Sequence, residues 1–435
     1  MKITLIKPAM TRLIKHSKFI SWNMEPLAIA IIAGITPPEF ELEFFDERVE
    51  VIPLEINADL IGITVETFTA RRAYELADSL RRQGKKVILG GYHTTLIPDE
   101  AKEHADSIVI GEVEGVWDKV LDDLKQNNFK PEYKSEEISF SQTLPDRSIY
   151  KGKKYLPISL IQTSRGCPYQ CEFCATGSIY KGKFRFREID DIVRELSQIK
   201  NRKILFVDEN FVINPDRARD LFQAIIPLKK KWVAQVSPCL INNPELIPLM
   251  KQSGCAGLLL GFESTDKDSL LKMNKQVNLQ ADFRKLIQIL HKHHILVYAS
   301  FIAGYNESFE DVKTAFKLLL KEKVFLAGFS PLTPYPGTPL FKRLREEDRL
   351  ITSDWWLRNP YPYWEFVFRK STGESFNQFN SELHRIRDKF YSWKNIFKRF
   401  SLTWAIKSPG YAYIFFMVNQ GARKEIKSKY GINQL

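Results

Sequence analysis

Three of the chain's five cysteines, Cys167, Cys171 and Cys174, fall within eight positions of one another in the stretch SRGCPYQCEFC. Thiolates at such spacing can hold a metal, pair as a disulfide or supply a nucleophile. A structural zinc site asks for four Cys or His ligands, commonly as two separated pairs, and none of the seven histidines lies near this segment. A nucleophile needs no companions, and disulfides are rare in a reducing interior. An iron-sulfur cluster suits the trio better, because one short loop can wrap it. Four thiolates would close the cluster; three leave one iron open to bind another molecule. Cys239 and Cys255 lie elsewhere, the latter in the core-like run SGCAGLLLGFES, and two thiols are too few for a second trio.

The elements that must position this loop follow from the apolar pattern. From residue 1 to about 125, short apolar runs (KITLIKP, ELEFFD, LIGITV, KKVILGG, SIVIG) alternate with helical stretches such as ARRAYELADSLRRQG, which ends at Gly84. That alternation predicts a doubly wound parallel α/β sheet of the flavodoxin or Rossmann type, with ligands beyond the carboxyl ends of its strands. Residues 126–150 are polar and without period and read as a linker. A second alternation over residues 151–345 (PISLIQTS, KILFVDE, WVAQVS, AGLLLGFES, ILVYASFIAG, LAGFSPL) predicts six βα units and hence a partial (β/α)6 barrel, whose functional groups gather at the strand ends. Residues 346–435, rich in aromatics and in Lys and Arg, read as a mainly helical cap.

The CxxxCxxC spacing after the first strand of a six-unit array resembles the signature of the radical S-adenosylmethionine superfamily, with Phe173 the aromatic residue before the last cysteine. The resemblance implies a 4Fe-4S cluster on Cys167, Cys171 and Cys174, whose open iron binds S-adenosylmethionine and cleaves it to a radical that abstracts hydrogen. It further implies that Asp208 or Glu209 in FVDEN serves the methionyl end of S-adenosylmethionine, Glu263 in GFES its ribose, and Gly304 in FIAGYNE its adenine; TPYPGT resembles the turn after the sixth strand. Taken singly, each of these stretches is equally readable as a turn or strand end shaped by packing.

In front, VILGGYHTTLIPDEAKEHADSIVIGEVEGVW resembles the end of a cobalamin-binding domain, so the family likeness spans residues 1 to about 345. Gly90, Gly91, Gly111 and Gly115 would let backbone approach a flat ligand at the sheet edge. The DxHxxG motif that supplies a cobalt-ligating histidine is absent: His93 has glycine, not aspartate, two positions earlier, and a satisfied polar role at a strand end competes with ligation. Cobalamin is therefore an expectation of the resemblance, against a domain kept as scaffold.

With cobalamin, the chemistry implied is C-methylation of an unactivated carbon in an apolar small molecule such as a lipid, isoprenoid or tetrapyrrole. Without it, the same abstraction would end in oxidation, hydroxylation, cyclisation or carbon-carbon coupling. A non-catalytic corrinoid carrier or electron-transfer protein would have no use for Asp208, Glu209 and Glu263 at successive strand ends. The chemistry also asks for a reductant such as flavodoxin or ferredoxin.

The net charge of +12 points to an acidic partner, but nothing resembling a nucleic-acid-binding module accompanies it. The opening MKITLIKPAM reads as a strand and no run approaches the roughly 20 apolar residues of a membrane span, so a cytoplasmic protein is expected. The mix of WWLRNPYPYW, WAIKSPGYAYIFFMV and flanking basic residues suits either a cap on the barrel or peripheral contact with an anionic membrane.

Overall fold

The computed structural model describes residues 1–10, 23–135, 140, 144–305, 307–359, 365–371 and 375–432. Residues 136–139 and 141–143 of the expected linker, Asn306 of FIAGYNE and residues 360–364 of WWLRNPYPYW lie outside the described residues.

Six parallel strands form the front sheet: β1 (Lys2–Lys7), β2 (Glu41–Asp46), β3 (Leu60–Thr64), β4 (Val87–Gly90), β5 (Ser107–Ile110) and β6 (Glu132–Lys134), in the order β2-β1-β3-β4-β5-β6. The central strands are apolar because helices cover both faces. The helix Ala70–Arg82 shows how: Ala70, Ala73, Tyr74, Ala77 and Leu80 recur at helical spacing and are buried, Glu75 and Arg82 lie on the outer face, and Arg72 reaches back to the buried Glu47. β6 comes from the polar segment read as linker. As a three-residue edge strand it has one buried side chain, Tyr133, and so carries no apolar run.

The second sheet joins β7 (Ser159–Ile161), β10 (Lys203–Phe206), β11 (Lys231–Val236), β12 (Cys255–Glu263), β13 (Leu296–Ala303) and β14 (Leu326–Pro331) in the order β14-β13-β12-β11-β10-β7, all parallel. Between β7 and β10 an antiparallel ribbon, β8 (Ser164–Gly166) with β9 (Phe184–Phe186), brackets the cysteine loop. The barrel core is aromatic at one side, where Phe206, Phe211 and Phe222 surround the fully buried Trp232; burying each contributes roughly 1.5–3 kcal/mol.

β14 ends the open barrel, and side chains from the following helices satisfy its free edge. Tyr391 Oη donates to Ala327 O (2.8 Å) and accepts from Ala327 N (3.1 Å), and Arg387 Nε donates to Phe329 O (2.6 Å). Arg399, fully buried, donates to Val324 O and Phe325 O and lies 4.0 Å from the Phe390 ring centroid. The aromatic stretch divides its loyalties: Trp355 and Trp356 pack into the front domain with Phe341 and Val367, whereas the later helices cover the barrel.

Candidate active site between two sheet edges

The carboxyl ends of the two sheets face each other. After β3, Phe68 meets Tyr335 edge-on at 5.6 Å. After β4, the helix Tyr92–Leu96 packs on the helix Ala175–Tyr180, which starts at the last cysteine of the trio. After β5, Glu114 and Glu112 reach Arg165 at 2.5 and 3.2 Å, and Glu112 also pairs with Arg185. Arg165 lies in β8, two residues before Cys167, and is 7% exposed. The cysteine loop is thus tied by charge to the front domain.

Within the loop, Cys171 is buried and Cys167 and Cys174 half-buried, all as free thiols. Burial raises the Cys167 thiol and pushes Cys171 up to about 11, so holding them as thiolates requires a strong positive partner, which iron supplies. Among the described residues no three His, Cys, Asp or Glu side chains converge on one ion. The three closely spaced thiols of one loop are the chemistry an iron-sulfur cluster binds. Phe173 packs on the barrel core.

The strand-end residues differ in their commitments. Asp208, 2% exposed, accepts from Thr163 Oγ1 (2.8 Å), Ser164 Oγ (2.5 Å) and Thr163 N (3.1 Å), so its carboxylate braces the approach to the cysteine loop. Its neighbour Glu209 keeps Oε2 buried without a hydrogen-bond partner, and burial, helped by Asp208, pushes its carboxyl up to about 7. A carboxyl so placed at the barrel mouth awaits a donor from a ligand.

Glu263 closes β12 at φ +65°, a left-handed conformation rare outside glycine, and lies 3.4 Å from Lys275 Nζ. Asn278 fixes that bend by donating to Gly261 O and Phe262 O at 2.8 and 2.9 Å. Against the cost of burial, Glu263 and the thiols of Cys171 and Cys174 hold the Lys275 ammonium above the ordinary lysine range. The sequence reading missed Lys275: a lone lysine in MNKQVN has no spacing that marks it. Gly304 follows β13 at φ +118°, and a Cβ there would run into the Phe366 ring. Its N–H and that of Tyr305 donate to Glu307 Oε2 at 3.0 and 2.9 Å.

On the front edge, Gly91 (φ +117°) and Gly111 (φ +87°) hold left-handed backbone; a Cβ on Gly91 would lie 2.7 Å from Val65 O. Gly90 ends β4, and Gly115 closes the turn that carries Glu112 and Glu114. His93 is fully buried, with Nδ1 3.2 Å from Thr67 Oγ1 and Nε2 3.0 Å from Glu100 Oε1, and Trp356 stands edge-on to its ring. Ligating a metal would break those contacts. Beside it Tyr92 is 46% exposed, with its hydroxyl hydrogen-bonded to Tyr180 near Glu209, and burial followed by those two neighbours raises the phenol above its ordinary range. The glycine-lined edge facing the barrel mouth fits a flat corrinoid; the geometry of His93 fits one bound without a histidine ligand.

Two sheets meeting mouth to mouth, one bearing a thiolate trio, define a class that the comparisons confirm. Residues 161–319 match the radical SAM superfamily and residues 24–121 the B12 binding domain. The chain belongs to the radical SAM superfamily, among the enzymes that join a B12-binding domain to the barrel, with a 4Fe-4S cluster, S-adenosylmethionine and cobalamin as cofactors. It is 31% identical to the bacteriochlorophyllide d C-12(1)-methyltransferase of Chlorobaculum tepidum over 417 residues, 92% of this chain and 89% of the relative. Identity to the bacteriochlorophyllide d C-8(2)-methyltransferase of the same organism is 28% over 405 residues, covering 87% of this chain and 88% of that one. The hopanoid C-2 methylase of Rhodopseudomonas palustris is 26% identical over 76% of this chain and 66% of its own. In fold, the chain is similar to the radical S-adenosylmethionine methyltransferase TsrM of Kitasatospora setae, solved with cobalamin and a 4Fe-4S cluster: TM-score 0.64, 16% identity, 80% of this chain and 78% of that one. The expected fold class, enzyme class and cofactors are borne out. No helix among the described residues is long and apolar enough to cross a membrane.

Proposed function

We propose that the protein C-methylates a peripheral carbon of a chlorophyll-type tetrapyrrole that carries a free carboxylate. The observation that carries this reading is the likeness, across nearly the whole chain, to two methyltransferases named for bacteriochlorophyllide d. A cleft of about 640 Å³ supports it, lying at the ends of β13 and β14 beside Gly304, Tyr305 and Leu332. Its lining is mixed in charge: Arg343 is held by Glu172 and Glu347, while Arg369 and Lys370 suit an anionic edge on the ligand. Its size falls within the range of small-molecule sites.

In this reading Cys167, Cys171 and Cys174 hold the cluster. Glu209, Glu263 and Gly304 line the S-adenosylmethionine site, Lys275 holds Glu263 in place, and Asp208 braces the loop from below. Gly90, Gly91, Gly111 and Gly115 form the cobalamin edge of a domain made of residues 1–125 and the edge strand β6 from the 126–150 segment, with 151–345 as barrel and 346–435 as a covering layer whose Trp355 and Trp356 join the front domain. The cluster with S-adenosylmethionine supplies hydrogen abstraction, and cobalamin supplies the methyl group. The chain's own work is to keep water from the seam and to hold the reacting carbon between the two edges. A low-potential one-electron carrier of the flavodoxin or ferredoxin type completes the reaction.

The test is anaerobic turnover of the cluster-loaded, cobalamin-loaded protein with S-adenosylmethionine, a reductant and bacteriochlorophyllide d, followed by mass spectrometry. A product heavier by one methylene, formed with 5′-deoxyadenosine, is expected. Deoxyadenosine with an oxidised, unmethylated product would transfer the reading to radical oxidation.

A further inference from the structure

Three consecutive helices, Trp393–Arg399, Leu402–Lys407 and Pro409–Ile432, cover the last barrel strands. Their inner faces are occupied: Ile396, Tyr411 and Phe415 are buried, and Arg399 bonds Asn419 Oδ1 at 2.9 Å. Their outer faces carry three pairs of large apolar side chains, each pair four residues apart and so on one helical face. Trp393 and Phe397 are 43% and 62% exposed, Leu402 and Ile406 are 67% and 75%, and Tyr413 and Met417 are 71% and 48%. The first and last of these helices are joined through rings: Trp393 and Phe397 lie 6.1 Å apart and Phe397 lies 5.4 Å from Phe416 of the last helix.

The charge around these side chains has one sign. From residue 389 to residue 424 the sequence holds seven Lys and Arg (Lys389, Lys394, Lys398, Arg399, Lys407, Arg423, Lys424) and no Asp or Glu. Lys394, Lys398 and Lys407 are exposed among the apolar pairs. A second copy docked face to face would bring those like charges together, whereas an anionic lipid surface neutralises them and receives the aromatics at headgroup depth.

We propose that this helical face seats the protein on an anionic lipid bilayer, lying on the membrane with Trp393, Phe397, Leu402, Ile406, Tyr413 and Met417 as its inserted side chains. The inference is independent of the methyl-transfer reading, because it rests on the covering helices alone.

The experiment is cosedimentation of the full chain with vesicles of phosphatidylglycerol and phosphatidylcholine, and with phosphatidylcholine alone. Binding to the anionic vesicles that weakens with salt is expected, with little on the neutral ones. L402S/I406S and K394E/K398E are each expected to lower partitioning at least about tenfold. Deoxyadenosine formation by the same variants, expected at the wild-type rate, reports that they are folded. Failure of the wild-type chain to bind anionic vesicles at low salt, or equal binding by folded variants, overturns the proposal. A concentration-dependent dimer in sedimentation velocity that L402S/I406S abolishes would assign the face to a second copy and overturn it as well.

Discussion

Replacing Arg165 by leucine would cut the charge contact between the cysteine loop and the front domain. Arg165 donates to Gln162 Oε1 (2.8 Å) and Glu114 (2.5 Å) and lies 3.2 Å from Glu112. Glu112 retains Arg185 in the variant. Among the described residues Glu114 is paired with no other cation, and its side chain is 6% exposed. Removing one partner of a buried pair costs about 3–5 kcal/mol, because the other charge stays behind without compensation. Counting one orphaned carboxylate, the seam should weaken by about 3 kcal/mol, which is roughly a 10²-fold rise in its opening equilibrium. Hydrogen exchange of the amides around residues 111–116 and 164–167 reads that opening directly. The R165L/E114L pair removes both charges together and should recover most of the loss. A change of less than about tenfold in R165L, or a double variant no better protected than the single one, would refute the argument that this ion pair holds the seam.

Other perturbations separate structural from functional roles. Gly304→Ala forces a side chain into left-handed backbone against Phe366; about 1–3 kcal/mol of strain and loss of deoxyadenosine formation are expected, seen in a thermal melt and a cleavage assay. His93→Ala empties a buried, doubly hydrogen-bonded position and should cost about 2–3 kcal/mol, yet leave the absorption spectrum of bound cobalamin unchanged; a changed axial coordination would make His93 a ligand after all. Arg399→Met takes the guanidinium donor from the carbonyls of Val324 and Phe390, leaving Phe325 O only Asn419 Nδ2, and should cost about 3 kcal/mol, read as a lower denaturation midpoint. Burial holds both His291 and His384 at about 4, below the ordinary value near 6.5. The unfolded chain then binds more protons than the folded one between those values, so stability is present above about pH 6.5 and lost as pH falls toward 4, by up to about 2 kcal/mol per histidine at pH 5; an urea midpoint flat from pH 7 to 5 would contradict it.

The strands of both sheets were legible because buried parallel strands are continuous apolar runs, and the cysteine trio because its spacing has few rival explanations. β6 was not, since EYK at a sheet edge looks like any polar loop. FVDEN pointed to Asp208 or Glu209 without choosing; only the placement of Thr163 and Ser164 shows that the first is engaged and the second open. Periodicity likewise cannot say which domain an aromatic residue will join, which is why Trp355 and Trp356, read as a barrel cap, fill the front domain instead. Arg165 stood in the quoted stretch, but its partners in GEVEG are about fifty residues away, and long-range charge pairing leaves no local trace.

The free edge of β14 carries a consequence for how the chain is made. An unpaired strand edge is a template for any other strand that meets it. Here the groups that occupy it, on Arg387, Tyr391 and Arg399, are translated some sixty to seventy residues after the strand itself. During synthesis the six-stranded sheet therefore emerges with one sticky side open, and nascent chains on neighbouring ribosomes can pair through it. Production of this protein should depend on dilution or on a chaperone until residue 399 has left the ribosome, and truncations before that point should aggregate rather than yield a smaller soluble barrel.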